Sequence, residues 1–198
     1  MNAGSGARIG PNAIIQLGRA LDQIAGVAVT DGLFDTAGLA TYRHAVPAGM
    51  VPEGDVIALY GELRRGLSPA AARAVARMAG RNTGDYLLEH RIPRAARRIL
   101  PALPVRLAAR ALLAAVTRHA WTFAGSATVR AETGRPLAVV LVDCPICRGA
   151  RSPAPACDYY AATFERLFAV LVHPAASVAE TECRATGGGR CRFEIRLG

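Results

Sequence analysis

Five cysteines, Cys144, Cys147, Cys157, Cys183 and Cys191, fall in the last third of this 198-residue chain, and they constrain the fold more than any other feature. What they can do depends on the compartment. The opening stretch, MNAGSGARIGPNAIIQLG, shows no continuous apolar segment and no cleavage pattern of a secretory leader. The longest aliphatic runs, such as residues 137–142, fall far short of the ~20 residues that span a bilayer. We therefore expect a cytoplasmic protein without stable membrane insertion, in a compartment where thiols stay reduced. Clustered cysteines in that setting read as metal ligands before they read as disulfides.

The rest of the chain supplies a helical layer and then a sheet. Hydrophobic residues make up 52% and charged residues 20%, which excludes a disordered chain. Alanine is abundant, which favours helices. Residues 11–25 place Ile14, Leu17, Leu21 and Ile24 at helical spacing behind Pro11. A second helix is predicted over 33–43, a Pro- and Gly-rich loop over 45–55 and a helix over 55–65. Ser68 before Pro69 is a helix start, an N-cap followed by proline in the first turn. That helix runs to His90, with a weak point at Gly84 and a stop at Pro93. Another helix spans about 104–119.

The hydrophobic period then changes. Residues 121–132 and 136–143 read as strands joined by a turn. A loop over 144–156 leads to a helix over 157–171, and strands over 176–184 and 190–197 flank the glycine turn 186–189. This order gives an α+β fold, a helical N-terminal layer packed on a small antiparallel sheet. One domain covers 1–198, mainly helical over 1–119 and strand–strand–helix–strand–strand over 120–198.

The net charge is +9, and every one of the 24 basic residues is arginine. Such a balance invites a nucleic-acid reading. The arginines are scattered, however, and no helix-turn-helix, zinc-finger or RNP signature accompanies them, so we expect no nucleic-acid partner. Arginine also serves a solvated surface or neutralises an acidic ligand.

Within the cysteines, Cys157 opens a helix, Glu180 and Cys183 lie near the end of one strand and Cys191 lies on the next. The hairpin turn brings Cys183 and Cys191 together. Glu180 and Cys183, three apart, point to opposite faces of a regular strand, so they share a metal only where the strand bulges or ends between them. Three thiolates and a carboxylate suit tetrahedral zinc and leave no position for water or substrate. Arg184, Arg190 and Arg192 flank the ligands and offset their charge. Inert buried cysteines are the plainer alternative. Cys144 and Cys147 form a CPIC pair, open to zinc or redox chemistry, whose plainer reading is two incidental loop cysteines. An iron–sulfur cluster on four of the five cysteines is a further alternative.

This pattern resembles the 4-vinyl-reductase domain family, and within it the branch that serves bacteriochlorophyll biosynthesis. The resemblance rests on RIGPNAIIQL near the start, DYLLEHRIP at 85–93, CPICRG at 144–149 and ECRATGGGRCRFEI at 182–195. It implies zinc, as a structural ion, on Cys157, Glu180, Cys183 and Cys191. It also implies a fold similar to vesicle-tethering subunits, a hydrophobic ligand cavity between helices and sheet, and a homodimer. Reduction of a vinyl group on a chlorophyllide precursor needs a hydride or electron source. The sequence holds no GxGxxG after a strand, no Walker loop and no flavin signature, and residues 187–189 lie between strands. The expected function is therefore a carrier or chaperone for a magnesium porphyrin or protochlorophyllide-type tetrapyrrole. The alternatives are a 4-vinyl (divinyl) reductase and a small-molecule sensor domain. Pathway enzymes such as magnesium chelatase or the porphyrin methyltransferase are the expected partners. From position alone, Tyr86, His90, Arg91, His119, Trp121 and Phe123 are candidate ligand contacts, with His90 or His119 available to the porphyrin's magnesium. No catalytic residue is assigned.

Overall fold

In a computed structural model of the chain, the structure describes residues 6–198. The first five residues of the opening stretch lie outside them. A short pairing of β1 (Arg8–Ile9) with β2 (Val51–Pro52) ties the start of the chain to the loop before the fourth helix. Around it run α1 (Asn12–Ile24), α2 (Val27–Thr36), α3 (Thr41–His44), α4 (Glu53–Gly66), α5 (Pro69–His90), α6 (Arg94–Ile99) and α7 (Val105–Arg118). The second half carries β3 (Thr128–Glu132), β4 (Leu137–Val142), α8 (Asp158–Leu171), β5 (Ser177–Glu182) and β6 (Cys191–Arg196). The last four strands form an antiparallel sheet in the order β3-β4-β6-β5.

The helix α5 begins as its sequence demands. Ser68 Oγ accepts a hydrogen bond from Ala71 N at 3.3 Å, and Pro69 fills the first turn, where its missing N–H is not needed. Gly84 does not weaken this helix, contrary to expectation. Gly80 and Gly84 are where α8 crosses α5. A Cβ on Gly80 would stand 2.3 Å from the Tyr159 carbonyl oxygen, and one on Gly84 2.7 Å from Arg166 Cβ. Across the same contact Thr163 Oγ1 donates to Gly80 O (3.0 Å), and Thr83 shares a 3.0 Å hydrogen bond with the Tyr159 hydroxyl.

On its other side α8 lies on the sheet. Tyr160 and Phe164 meet Phe193 edge-on, with ring centroids 6.1 and 5.6 Å apart. Leu137, Val139 and Leu141 of β4 pair with Ile195, Phe193 and Cys191 of β6, so one apolar face of the sheet looks inward. The opposite face is laced with charge. Arg192 bonds Glu132 at 2.9 Å and also Glu194, and Arg190 holds Glu182 at 2.8 Å. One continuous buried core runs from Ile9 and Leu17 through Tyr60 and Val75 to Phe193 and Ile195.

Two placements differ from the sequence reading. The helix predicted over 33–43 is two helices, α2 and α3, separated by Gly38 at φ +73°. The strand predicted from 121 begins only at Thr128, because residues 120–122 form a 3-10 turn and Gly125 takes φ +58° against Glu53.

Candidate metal centre

All five cysteines are buried and none is in a disulfide. They converge at one end of the sheet's inner face. The turn after β4 carries Cys144 and Cys147, the N-terminus of α8 carries Cys157, the chain just past β5 carries Cys183, and β6 opens with Cys191. Cys144 Sγ lies 3.5 Å from Cys157 Sγ, Cys147 Sγ 3.4 Å from Cys191 Sγ, and Cys157 Sγ 3.7 Å from Cys191 Sγ. Thiolates ~2.3 Å from a tetrahedral zinc stand ~3.8 Å from one another. The observed spacings approach that figure.

Glu180 reaches the cluster through a change of register. Glu180 pairs with Phe193 while Glu182 pairs with the adjacent Arg192, so Thr181 is an extra residue in β5. That irregularity turns Glu180 and Cys183 to the same inner face, as a shared metal requires. The turn beyond needs its glycines. Gly187 takes φ +94°, and a Cβ on Gly188 would stand 2.8 Å from Cys183 O.

One carboxylate oxygen of Glu180 accepts the Cys157 backbone N–H at 2.8 Å. The other, Oε1, is buried and has no partner among the described residues. Burial, and then the charge of Cys183, push the Glu180 carboxyl up to about 9. Burial likewise pushes the Cys157 thiol up. So closed a group of acids is poorly suited to carry charge unless a cation sits among them, and a bound cation reverses that preference. The donor set therefore fits a thiophilic metal ion. Cys157, Glu180, Cys183 and Cys191 offer one ligand atom each, all within 4.8 Å of one another.

Cys144 and Cys147, read as incidental loop residues, satisfy the same criterion together with Cys157 and Cys191. Their CxxC spacing was the available signal, since a 3-10 turn over 145–147 aims both sulfurs to one side. The turn is gripped from α4. Arg64 Nη2 donates to Ile146 O at 2.8 Å, and Arg148 pairs with the buried Glu53, which also accepts Ser126 N at 2.7 Å. Arg184 pairs with Asp143, while its backbone N–H points at Cys191 Sγ, 3.5 Å away. Arg190 and Arg192, expected to offset the ligands' charge, are engaged with glutamates on the outer face.

The candidate ligand contacts form two groups. Tyr86 and His90 stack near the end of α5 with centroids 4.7 Å apart, and His90 and Arg91 are exposed. After α7, His119 is exposed and Trp121 is 65% exposed rather than core. Phe123 turns inward onto Tyr160 and Phe164, at 5.9 and 6.0 Å. The space between α8 and the sheet is occupied by these aromatic rings. Among the described residues no helix is long and apolar enough to cross a membrane.

Comparisons with known proteins place this arrangement. The 4-vinyl-reductase domain family matches residues 137–197, a stretch that includes all five cysteines and Glu180. In overall fold the chain is similar to an H-NOX protein from S. oneidensis, with a TM-score of 0.54 at 12% identity, covering 96% of this chain and 99% of that one. A Tt H-NOX variant gives the same score at 14% identity, covering 96% and 95%. At such identities the likeness concerns the fold alone. Two relatives are far closer in sequence. The bacteriochlorophyll synthase 23 kDa chain of Rhodobacter capsulatus is 42% identical, over 95% of this chain and 86% of its own length. That of Cereibacter sphaeroides is 44% identical over 95% and 90%. The chain therefore belongs to the family of bacteriochlorophyll synthase 23 kDa chains, and its cysteine centre lies within a 4-vinyl-reductase domain.

Proposed function

We propose that this protein is a tetrapyrrole carrier in bacteriochlorophyll biosynthesis, presenting a magnesium porphyrin or protochlorophyllide-type intermediate to pathway enzymes. The observation that carries the proposal is the 44% identity along 95% of the chain to a bacteriochlorophyll synthase 23 kDa chain. The geometry favours carriage over reduction. A zinc ion on Cys157, Glu180, Cys183 and Cys191 takes four protein ligands at a buried site, the pattern of a structural ion, which supplies folding energy.

The chain's own residues offer the rest. Exposed arginines such as Arg91 suit the propionates of a tetrapyrrole. The stacked Tyr86 and His90, and the exposed Trp121, offer flat partners for its ring, and His90 or His119 an imidazole for its magnesium. Seating the ring deeper, between α8 and the sheet, requires Phe123 to swing away from Tyr160 and Phe164.

The test is a titration with magnesium protoporphyrin in the absence of reductant. The expected result is a Soret shift with fluorescence quenching at micromolar protein, weakened in His90→Ala or Trp121→Ala. No shift at that concentration would overturn the carrier. A second incubation, with NADPH or reduced ferredoxin and a divinyl substrate, is expected to give no monovinyl product; its appearance would restore the reductase.

A further inference from the structure

We propose that the cysteine centre holds two thiophilic divalent ions, with Cys157 and Cys191 bridging them. The inference rests on the metal-binding reading of the centre and is independent of the tetrapyrrole.

Two donor quartets overlap in space. One is Cys157, Glu180, Cys183 and Cys191; the other is Cys144, Cys147, Cys157 and Cys191. In each, the donor atoms lie within 4.8 Å of one another. They share Cys157 and Cys191, whose sulfurs are 3.7 Å apart, near the ~3.8 Å edge of a tetrahedron of thiolates around zinc. Cys144 and Cys147 lie against the two ends of that shared edge, at 3.5 Å from Cys157 and 3.4 Å from Cys191. The geometry is that of two tetrahedra joined along an edge.

The second half of the centre is held as firmly as the first. The CxxC turn is chelating by its spacing, is fully buried from Cys144 to Cys147, and is pinned by Arg64 at Ile146 O and by Arg148 at Glu53. Charge presents no obstacle. A second divalent cation enters as the Cys144 and Cys147 thiols release their protons, so the net charge of the centre stays what it is with one cation. The competing arrangement keeps these two as neutral thiols donating S–H hydrogen bonds to the sulfurs of a single-metal site.

Metal stoichiometry decides between them. The full chain, stripped of metal and refolded anaerobically with zinc, is weighed by native mass spectrometry and titrated against a chromophoric chelator. The expected result is about two zinc per chain, falling to about one in Cys144→Ser/Cys147→Ser. Cadmium-113 NMR of the wild-type chain is expected to show two resonances, with the β-protons of Cys157 and Cys191 coupled to both. The wild-type measurements do not depend on any variant folding. One zinc per chain, unchanged in the double variant, would overturn the proposal while leaving the single site intact. No bound zinc would overturn both, and iron with acid-labile sulfide would replace them with a cluster.

Discussion

Three buried tyrosines differ in what their hydroxyls find. Tyr160 donates to Phe123 O at 2.7 Å and Tyr159 shares a hydrogen with Thr83 at 3.0 Å, but Tyr60, fully buried beside Tyr159, has no partner among the described residues. A satisfied hydrogen bond contributes ~1 kcal/mol, while an unpaired buried hydroxyl costs a comparable amount. Tyr160→Phe is therefore expected to lose ~1 kcal/mol and Tyr60→Phe to lose nothing or gain by a similar margin, read from urea unfolding midpoints. The cysteines divide in the same manner. Cys191 belongs to both donor quartets and Cys183 to one. Cys191→Ser is expected to abolish metal binding altogether, and Cys183→Ser to reduce it, by plasma emission analysis of the purified variants. Cys157, Glu180, Cys183 and Cys191 were legible as a set in the sequence, through their spacing and the resemblance it supports. The place of Cys144 and Cys147 was not, because it depends on a turn reaching the start of α8 across the fold, a contact that local pattern does not carry.

Elements announced by their own ends were read accurately. Ser68 and Pro69 started α5, Pro11 preceded α1, and the glycine turn separated β5 from β6. Where tertiary contacts set the boundary, the sequence misled. The stretch from Trp121 alternates like a strand, yet Glu53 captures Ser126 by both its N–H and its hydroxyl and holds the chain in a turn. Gly84 looked like a flaw in a helix because propensity counts glycine as a cost, whereas here it permits the crossing with α8. Gly80→Ala tests this directly. Alanine gains ~1 kcal/mol in helix propensity, but its methyl meets the Tyr159 carbonyl, and such overpacking costs ~1–3 kcal/mol or more. Net destabilisation is expected in thermal melts, with a smaller loss for Gly84→Ala, where the obstacle is the flexible side chain of Arg166.

Across the whole molecule, α4 joins the helical half to the metal centre. Arg64 holds the CxxC turn, Glu53 holds Arg148, and the Tyr60 ring lies against Tyr159, two residues from Cys157. Breaking a buried ion pair by removing one partner costs ~3–5 kcal/mol, and since Arg148 keeps partial contact with water, Glu53→Ala is expected to fall toward the lower figure. Zinc removal by a strong chelator is expected to lower the melting temperature of the helical signal at 222 nm along with that of the sheet, since one core serves both. A melt in which the helices are indifferent to chelation would contradict that coupling. The extra residue in β5 then has a consequence for chain length. It sets the parity of every side chain between Glu180 and the turn. Deleting Thr181 would restore an even frame, swing Cys183 out toward the arginine–glutamate lattice and send Glu182 inward in its place. A single lost codon, in a strand remote from α1 and α2, would thereby take a sulfur from the centre and seal a fresh charge into the core.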